Sequence, residues 1–347
     1  MSKSYKKIYI VCPDNKKPSG GVKQLYRFAD ILNENGYNAV ILHNKRHYKV
    51  KWFANNTKIE FSNYFFKILN NSLRGKQPNI LSKIKLLAYK KTSIRIEKES
   101  VIILPEIYTF AINSIEPEID KIIFNQNCYY TFRGYPINTD MVVNPYKSKK
   151  TIATIVASKD AENYIKYAFP DLPTYRIRLG INAEIFNFSQ NKKKQIAFMP
   201  RKLRDDVEQV INILKIRSNI KEWTFVEIDN QSESDVARIL KESSIFLSFN
   251  HREGFGLPPV EAMACGCVVI GYEGGAGKEY FKDEFSFSVQ EGNIIEFVKK
   301  IENVINDFSD TELSELGKKA SDFVLNNYSV ENEKKDILKI WENIISN

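Results

Sequence analysis

The sequence of 347 residues lacks the features that mark several protein classes. No apolar run approaches the length of about 18 residues that predicts a transmembrane helix. Four cysteines are too few for the disulfide framework of a small secreted domain. The first residues lack the long apolar core of a signal peptide. We therefore expect a protein of a reducing compartment, either cytoplasmic or peripheral on the inner face of the cell membrane.

Signals for metal and nucleic-acid binding are also weak. The sequence has no Asp-x-Asp motif, because Asp205 and Asp206 are adjacent, and Cys265-Gly266-Cys267 has no second Cys or His pair nearby. No known nucleic-acid-binding module accompanies the basic residues. We expect no metal, no other cofactor and no nucleic-acid partner. The histidines are interpreted as solvated loop residues: His43, His47 and His251.

Charge is unevenly distributed along the chain. Lys and Arg total 51 against 42 Asp and Glu, a formal net charge of +9. Residues 49–98 contain 12 basic residues against two acidic ones, Glu60 and Glu97, so this segment carries about the whole excess. Its basic residues interleave with aromatic and aliphatic ones, which is typical of helices at an anionic membrane surface. The alternative is a core-packed helix pair with a solvated basic face.

The length and the 43% hydrophobic content favour two packed domains. Short β-rich runs alternate with amphipathic helical segments in both halves, which predicts parallel sheets covered by helices. The predicted fold class is α/β, with two doubly wound, Rossmann-like domains facing across a cleft. Residues 1–182 form the predicted N-terminal domain and residues 183–329 the C-terminal one. A last helix at about 330–347 is expected to pack back on the first domain.

Residues 248–281 carry the most specific pattern. A predicted strand ends near Asn250, a glycine-containing loop follows, and Pro258-Pro259 suit the first turn of a helix. Glycine lets the backbone approach a ligand closely, and the free N–H groups of a helix start favour a diphosphate. In an open α/β sheet this loop lies where ligands bind. The loop's candidate binding residues are Gly254, Phe255, Gly256 and Leu257.

Two carboxylates flank this loop, with seven residues between them. Glu253 is predicted in the loop, where it can face a sugar ring. Glu261 is predicted in the first helical turn, where its two oxygens can accept hydrogen bonds from the vicinal hydroxyls of a ribose. The alternative for Glu261 alone is stabilisation of the helix, because acidic residues in a first turn interact favourably with the helix dipole.

Residues 253–270 resemble the E-x7-E signature of retaining, family-4-type glycosyltransferases with the GT-B fold, with Val268 where proline is usual. The resemblance implies a nucleotide-sugar donor. Residues 274–279 look like the family's G-G-x-x-E loop with one extra residue, which implies a donor contact for Glu279. The resemblance covers residues 5–36 and 154–347. Residues 45–150 match poorly, and acceptor recognition is expected to vary there.

The same resemblance implies two further groups of donor contacts. The segment around Gly20 and Gly21 is similar to the family's glycine-rich loop, whose backbone faces the donor phosphates and the acceptor. Arg201 matches an arginine that grips the diphosphate. The family's second cation is a lysine five residues on, where this chain has Asp206. Either Lys202 or Arg204 is expected to replace it.

A mid-domain strand departs from the family pattern. Many relatives carry a histidine after this strand, and this chain has Gln126 and Asn127 instead. These amides are expected to hydrogen-bond the reacting sugar, or alternatively to cap the strand end. Neither takes up a proton near neutral pH, so the leaving phosphate is expected to accept the acceptor's proton. The catalytic candidates are Arg201, Lys202, Glu253, Gln126 and Asn127.

The resemblance implies a hexosyl- or deoxyhexosyltransferase that retains anomeric configuration. It is expected to move a sugar from a nucleotide-diphosphate sugar to a hydroxyl of a saccharide or a lipid-linked saccharide. The expected context is bacterial surface polysaccharide or lipopolysaccharide biosynthesis. The alternatives are a catalytically silent GT-B subunit that binds a partner glycosyltransferase or a glycan, and a GT-B epimerase or phosphorylase.

Overall fold

The computed structural model describes residues 5–53, 55–75, 80–137, 144–217 and 220–346, with only the backbone of residues 80–82. The described residues divide into two compact units. The first consists of those up to residue 177 together with residues 334–346, and the second of those between 178 and 333. Each unit has its own parallel sheet, as described below.

The first unit is built on a seven-stranded sheet of order β3-β2-β1-β4-β5-β6-β7, in which neighbouring strands are parallel. The sequence favours such a sheet because runs of Ile, Val and Leu suit strands that are buried on both faces. The strands are β1 (Lys7–Val11), β2 (Ala39–His43), β3 (Ile59–Phe61), β4 (Ser100–Pro105), β5 (Asp120–Asn125), β6 (Thr151–Val156) and β7 (Thr174–Arg176).

Four α-helices of the first unit pack around or beside this sheet in the described residues. In the first of them, one stripe of apolar residues faces the core, as its spacing predicts, and includes Val22, Leu25 and Leu32. The helices are α1 (Gly20–Glu34), α2 (Asn63–Leu73), α3 (Ile80–Thr92) and α4 (Lys159–Ala168). A 3₁₀ helix, Glu106–Ser114, follows β4 directly.

The second unit has a five-stranded parallel sheet of order β12-β11-β10-β8-β9. Its strands are β8 (Lys193–Phe198), β9 (Thr224–Glu227), β10 (Ser243–Glu253), β11 (Val268–Gly275) and β12 (Ser286–Val289). Its helices, with the helix that ends the chain, are α5 (Arg204–Arg217), α6 (Glu233–Glu242), α7 (Leu257–Ala264), α8 (Ile294–Asp307), α9 (Asp310–Asn327) and α10 (Val330–Ser346). The adjacent strands β8 and β10 bring two of the predicted site segments together.

Most of α10 belongs to the first unit although it follows the second along the chain. The indole of Trp341 is buried, and its ring centroid lies 6.3 Å from that of Tyr5 and 5.7 Å from that of Tyr37. The α/β fold class predicted from the sequence is confirmed by the two parallel sheets. The strands β3, β7 and β12 are short, with three or four residues each.

Candidate active site

The strand β10 runs further than the sequence predicted. It continues to Glu253, with a register shift between Asn250 and Glu253 and a positive φ of 45° at Arg252. Glu253 therefore lies at the end of the strand, paired with Gly275 of β11, and not in the loop. A side chain at the end of an internal strand is held more firmly than one in a loop. The irregular register directs the last residues of β10 away from the simple alternation of the strand.

The turn between β10 and α7 depends on glycine. Gly256 has φ of +85° and precedes the first residue of α7, and a Cβ at this position would lie 2.6 Å from Tyr280 Oη. The Tyr280 hydroxyl donates to the carbonyl oxygen of Phe255 at 2.8 Å. Phe255 is itself buried, with its ring against those of Tyr280 and Tyr328. The buried Phe255 side chain thus anchors the turn against the rings of Tyr280 and Tyr328.

Glu261 is the fifth residue of α7, because the helix begins at Leu257, one residue earlier than predicted. It lies beyond the first turn, which contains no acidic residue. The interpretation of Glu261 as a first-turn residue was therefore wrong, and with it the case for a purely dipole-based role is weakened. Its side chain remains partly exposed on the helix that starts at the glycine turn.

Lys202 and Glu253 form an ion pair at the carboxyl ends of the adjacent strands β8 and β10. The Glu253 side chain is 17% exposed, so the pair is partly shielded from water. Arg201 is exposed in the same turn after β8. Arg204 instead reaches Glu227 at the end of β9, with 3.3 Å between Nη2 and Oε1. Of the two proposed replacements for the family lysine, Lys202 is the one next to Glu253.

Asp206, at the position where the family has its lysine, has a structural contact. Its Oδ2 accepts a hydrogen bond of 2.9 Å from the hydroxyl of Tyr272, whose ring is buried in the core of the second unit. Burial, and to a smaller extent the hydrogen bond to Asp206, raises the pKa of Tyr272 well above its usual value. The carboxylate therefore ties α5 to β11.

Glu279 lies in a short 3₁₀ helix, Ala276–Glu279, directly after β11. Tyr328 Oη donates to Glu279 Oε1 at 3.2 Å. Gly274 and Gly275, directly before this helix, both have positive φ, of 63° and 86°. Burial, with added effects of the nearby carboxylates of Glu253 and Glu279, raises the pKa of Tyr280. The glycine turn, Glu253 and Glu279 thus surround one buried tyrosine.

In the first unit, two predicted site residues from distant segments, Gly21 and Gln126, are in contact. Gly20 and Gly21 are the first two residues of α1, and the side chain of Ser19 before them makes no capping hydrogen bond. Gln126 follows β5, and its Nε2 donates to the Gly21 carbonyl oxygen at 3.2 Å. A Cβ on Gly21 would lie 2.6 Å from Gln126 Oε1. The two segments are 105 residues apart in sequence and touch only through the fold.

Asn127 has a different environment from Gln126. Its side-chain oxygen accepts a hydrogen bond of 3.1 Å from the backbone N–H of Tyr129 and so caps the 3₁₀ helix Cys128–Tyr130. The residue is largely buried. Asn127 thus caps the following 3₁₀ helix and not the end of the strand, whereas Gln126 points to the glycine segment.

The sequence analysis missed Glu106, which lies directly after β4. Its side chain is buried, at 4% exposure, and its Oε2 accepts a hydrogen bond of 3.0 Å from the backbone N–H of Gln126. Burial raises the pKa of Glu106 to about 7, although backbone N–H groups of Gln126 and Asn127 oppose the shift. The available signal was an acidic residue immediately after the apolar strand SVIILP.

His43 is also different from its prediction. It is completely buried at the end of β2, and its Nε2 lies 2.7 Å from Tyr26 Oη. Its Nδ1 lies 3.0 Å from Asp14 Oδ1, and Asp14 also accepts backbone N–H groups at 3.2 and 3.1 Å. The interpretation of His43 as a solvated loop residue was wrong. The hydrogen bonds that join Asp14, His43 and Tyr26 hold the loop that leads from β1 to Gly20.

Comparisons with known proteins relate this chain to proteins that transfer sugars. Residues 189–323 match the family model described as glycosyl transferases group 1. The chain is 25% identical to an alpha-1,6-glucosyltransferase from Actinobacillus pleuropneumoniae, over 72% of this chain and 77% of that protein. The residues that match the family model run from before β8 into α9, and they include Arg201, Glu253, Glu261 and Glu279.

Solved structures of similar fold cover nearly the whole chain. TarM superposes with a TM-score of 0.67 at 12% identity, over 99% of both chains. HepE from Anabaena, in complex with UDP-glucose, gives 0.64 at 14% identity, over 97% of this chain and 99% of that one. Sucrose-phosphate synthase from Thermosynechococcus elongatus gives 0.63 at 12% identity, over 98% and 99%. The protein is a glycosyltransferase with the GT-B fold.

For this glycosyltransferase, the second unit contains a compact set of groups suited to an anionic ligand. Arg201 and Lys202 are cations after β8, and Leu257 offers a backbone N–H at the start of α7, where the next two residues are prolines without one. Glu253 and Glu261 supply carboxylates that accept hydrogen bonds from hydroxyl groups. Such a set can hold a diphosphate and polyhydroxylated rings at once.

The described part of the glycosyltransferase contains no group of three or more His, Cys, Asp or Glu side chains that could hold a metal ion. Its cysteines are all buried as free thiols. Among the described helices, none has both the length and the apolar content needed to cross a membrane.

Proposed function

We propose that this glycosyltransferase transfers glucose from UDP-glucose to a hydroxyl of a saccharide acceptor, with retention of anomeric configuration. The relative from Actinobacillus pleuropneumoniae is named an alpha-1,6-glucosyltransferase, and HepE was solved with UDP-glucose. The sugar of UDP-glucose is α-linked, so an α-linked product requires retention. The observation that carries the proposal is the ion pair between Lys202 and Glu253, which lies beside the glycine turn before α7.

The donor is proposed to bind the second unit. Glu261 accepts hydrogen bonds from the ribose hydroxyls, and the backbone N–H groups around Gly254 and Gly256 bind the diphosphate. Arg201 and Lys202 neutralise it. We choose Lys202 over Arg204 as the second cation because Lys202 lies beside Glu253 and the glycine turn, whereas Arg204 reaches Glu227 at the end of β9. Glu279 is proposed to complete the donor contacts beside Tyr280.

The proposed chemistry is a front-side displacement. The bond between the anomeric carbon and the diphosphate oxygen breaks, while the acceptor oxygen bonds to the same face of that carbon. The proton of the acceptor hydroxyl passes to the leaving phosphate, so no protein base is needed. Arg201, Lys202 and the backbone N–H groups around Gly254 and Gly256 stabilise the charge that develops on the diphosphate. The scheme assigns no metal ion.

The acceptor is proposed to be a saccharide, free or lipid-linked, in the assembly of a bacterial surface polysaccharide or lipopolysaccharide. TarM from S. aureus was solved together with Fondaparinux, alpha-GlcNAc-glycerol and UDP. In this chain the first unit places Gln126 against Gly21, and we assign this pair to acceptor binding. The Glu106 carboxylate holds the backbone that carries Gln126.

The donor assignment is tested by thermal unfolding with UDP, GDP, dTDP, CMP and UDP-glucose. A nucleotide at 100 times its dissociation constant adds about 2.7 kcal/mol, which corresponds to roughly 5 °C. We expect UDP and UDP-glucose to stabilise the wild type and not Glu261→Ala. Glu284→Ala is the matched control, because Glu284 is an exposed acidic residue of the same unit. A folded wild-type protein that responds to none of these ligands would contradict the proposed donor site.

Product analysis tests the stereochemistry and the identity of the sugar separately. UDP-glucose labelled in the glucose is incubated with saccharide acceptors, and the anomeric configuration of any product is read by NMR coupling constants. An α-linked product supports retention, and a β-linked one overturns it. Loss of transfer in Arg201→Ala with the protein still folded is expected from the lost stabilisation of the leaving group.

A further inference from the structure

The helix α3 exposes apolar side chains to solvent. Ile84 is 58% exposed and Leu87 is 63% exposed. Positions i, i+3 and i+7 lie on one face of a helix, so Ile84, Leu87 and Lys91 share an outward stripe. Lys91 is exposed as well. Two large aliphatic side chains exposed next to each other beside a lysine form a small apolar surface that a binding partner can cover.

The neighbouring helix α2 buries its large apolar side chains, whereas α3 exposes two of them. Phe65, Phe66 and Leu69 of α2 are buried in the core of the first unit. α3 rests on α2 along its other side, where the ammonium of Lys90 lies 5.8 Å from the ring centroid of Tyr64. A core-packed helix with a solvated face describes α2 but not α3.

The charge of α3 is entirely positive and is not balanced nearby by the acidic residues of its own segment. α3 contains Lys83, Lys85, Lys90 and Lys91 and no Asp or Glu. The two acidic residues of segment 49–98 are engaged elsewhere: Lys7 Nζ lies 2.6 Å from Glu60 and 3.4 Å from Glu97. The lysines of α3 therefore surround the apolar stripe with positive charge, while both acidic residues of the segment pair with Lys7 of β1.

We propose that α3 binds the surface of an anionic lipid bilayer, with Ile84 and Leu87 entering the boundary between headgroups and acyl chains. Lys83 and Lys91 then contact lipid phosphates from the two ends of the stripe. Helices that lie in a membrane interface have this combination of a basic polar part and a few large apolar side chains. The proposal concerns a surface separate from the donor site and does not depend on the proposed function.

A bilayer fits this surface better than a protein or a nucleic acid does. A stable protein interface buries about 1,600 Å² in total and is depleted in lysine at its core. Two exposed aliphatic residues among four lysines offer too small an apolar centre for that. Single-stranded nucleic acids are bound by aromatic stacking platforms, and the exposed residues at the centre of this stripe are aliphatic. A fluid bilayer adapts to a small apolar stripe and supplies many anionic groups.

The test is sedimentation of the full-length protein with lipid vesicles. We compare vesicles of phosphatidylcholine alone with vesicles of equal parts phosphatidylcholine and phosphatidylglycerol. The wild type is expected to sediment with the anionic vesicles only, and binding should fall as salt is raised. Ile84→Ser/Leu87→Ser is expected to lower the apparent affinity about tenfold or more, since the apolar contribution is lost.

Matched surface variants separate α3 from a general effect of charge or hydrophobicity. Ile216→Ser/Ile295→Ser removes two isoleucines that are 81% and 67% exposed in the second unit. Lys221→Gln/Lys299→Gln removes two exposed lysines there, as Lys83→Gln/Lys91→Gln does on α3. Only the α3 variants should weaken vesicle binding, and all should keep the nucleotide-induced thermal shift of the wild type.

Three outcomes would overturn the proposal: no sedimentation with anionic vesicles, equal sedimentation with both vesicle types, or equal loss of binding in the α3 variants and their controls. The first outcome would leave an acidic protein partner as the occupant to seek. Unchanged circular dichroism and unfolding midpoints verify that the variants are folded. Failure of vesicle binding with an intact nucleotide response would not affect the proposed donor site.

Discussion

At the scale of single residues, Glu106 shows how much a buried carboxyl depends on its surroundings. It receives the backbone N–H of Gln126 and is 4% exposed, and burial raises its pKa to about 7. The charge of Glu106 affects the pKa of two buried groups, Tyr146 and Cys128. Burial raises the pKa of both groups well above neutral pH. Near neutral pH the charge of Glu106 changes, whereas Tyr146 and Cys128 stay neutral.

The raised pKa predicts a pH dependence of stability. The folded state holds the Glu106 proton more tightly than the unfolded state, whose pKa is the ordinary 4.5. The contribution of this group to the free energy of unfolding is thus full below about pH 4.5 and falls until about pH 7. The total is on the order of 3 kcal/mol, from roughly 1.4 kcal/mol per pKa unit.

Glu106→Gln is expected to remove this dependence. Urea unfolding of the wild type and the variant between about pH 5 and pH 8 measures the difference. The free energy of the wild type should decline relative to that of the variant as pH rises. The exposed Glu118→Gln serves as the control and should follow the wild type. Parallel curves for the wild type and Glu106→Gln would mean that the carboxyl does not titrate in this range.

Lys202 and Arg204 allow a second prediction at the residue scale. Lys202 pairs with Glu253, whereas Arg204 pairs with Glu227, and the latter pair is exposed. Lys202→Ala is expected to lower kcat/KM for sugar transfer about 100-fold, because a cation on the leaving diphosphate is lost. Arg204→Ala should change it less than about threefold, since exposed ion pairs contribute little. Steady-state kinetics decide, and the reverse order of effects would assign the second cation to Arg204.

At the scale of elements, the turn from β10 to α7 determines where the donor-site groups lie. The strand continues through an irregular register to Glu253, and Gly256 then turns the chain into α7 with φ of +85°. Gly292 has nearly the same φ, +79°, but a Cβ there would meet nothing within 4 Å. The two glycines therefore separate the cost of the backbone conformation from the cost of crowding.

Gly292→Ala is expected to destabilise the protein by about 1 kcal/mol through backbone strain alone. Gly256→Ala should cost about 2 to 4 kcal/mol, because its Cβ would also collide with the hydroxyl of the buried Tyr280. Chemical denaturation measures both values. Gly256→Ala should in addition abolish the thermal shift with UDP, whereas Gly292→Ala should keep it. Equal destabilisation would show that Tyr280 moves aside freely.

At the scale of the whole molecule, the chain leaves the first unit, forms the second, and returns to the first with the end of α10. The returning helix places Trp341, at 1% exposure, between the rings of Tyr5 and Tyr37. The first unit is thus completed only when the last residues of the chain are present, and its stability depends on residues more than 300 positions apart in sequence.

Trp341→Ala is expected to cost about 3 to 5 kcal/mol, the usual range for removing a large buried aromatic side chain. The partly exposed Trp52→Ala should cost clearly less. Thermal and chemical unfolding measure the difference. If Trp341→Ala were no more destabilising than Trp52→Ala, the packing of α10 on the first unit would contribute little to stability.

Local patterns in the sequence determined the class of the fold and the most specific site segment. Alternating apolar runs predict parallel strands and helices, and the glycines and prolines of residues 254–259 predict the turn that starts α7. These features depend on neighbouring residues, so a sequence displays them directly. The role of each residue in catalysis stays a prediction that the experiments above address.

Only the tertiary structure decided which distant residues meet. Gln126 lies against Gly21, Glu106 holds the backbone of Gln126, and His43 is buried against Asp14 and Tyr26. The choice of Lys202 as the partner of Glu253 depends on the adjacency of β8 and β10 in the sheet. Such contacts arise from strand order and packing between segments tens of residues apart, and no local period or turn signal encodes them.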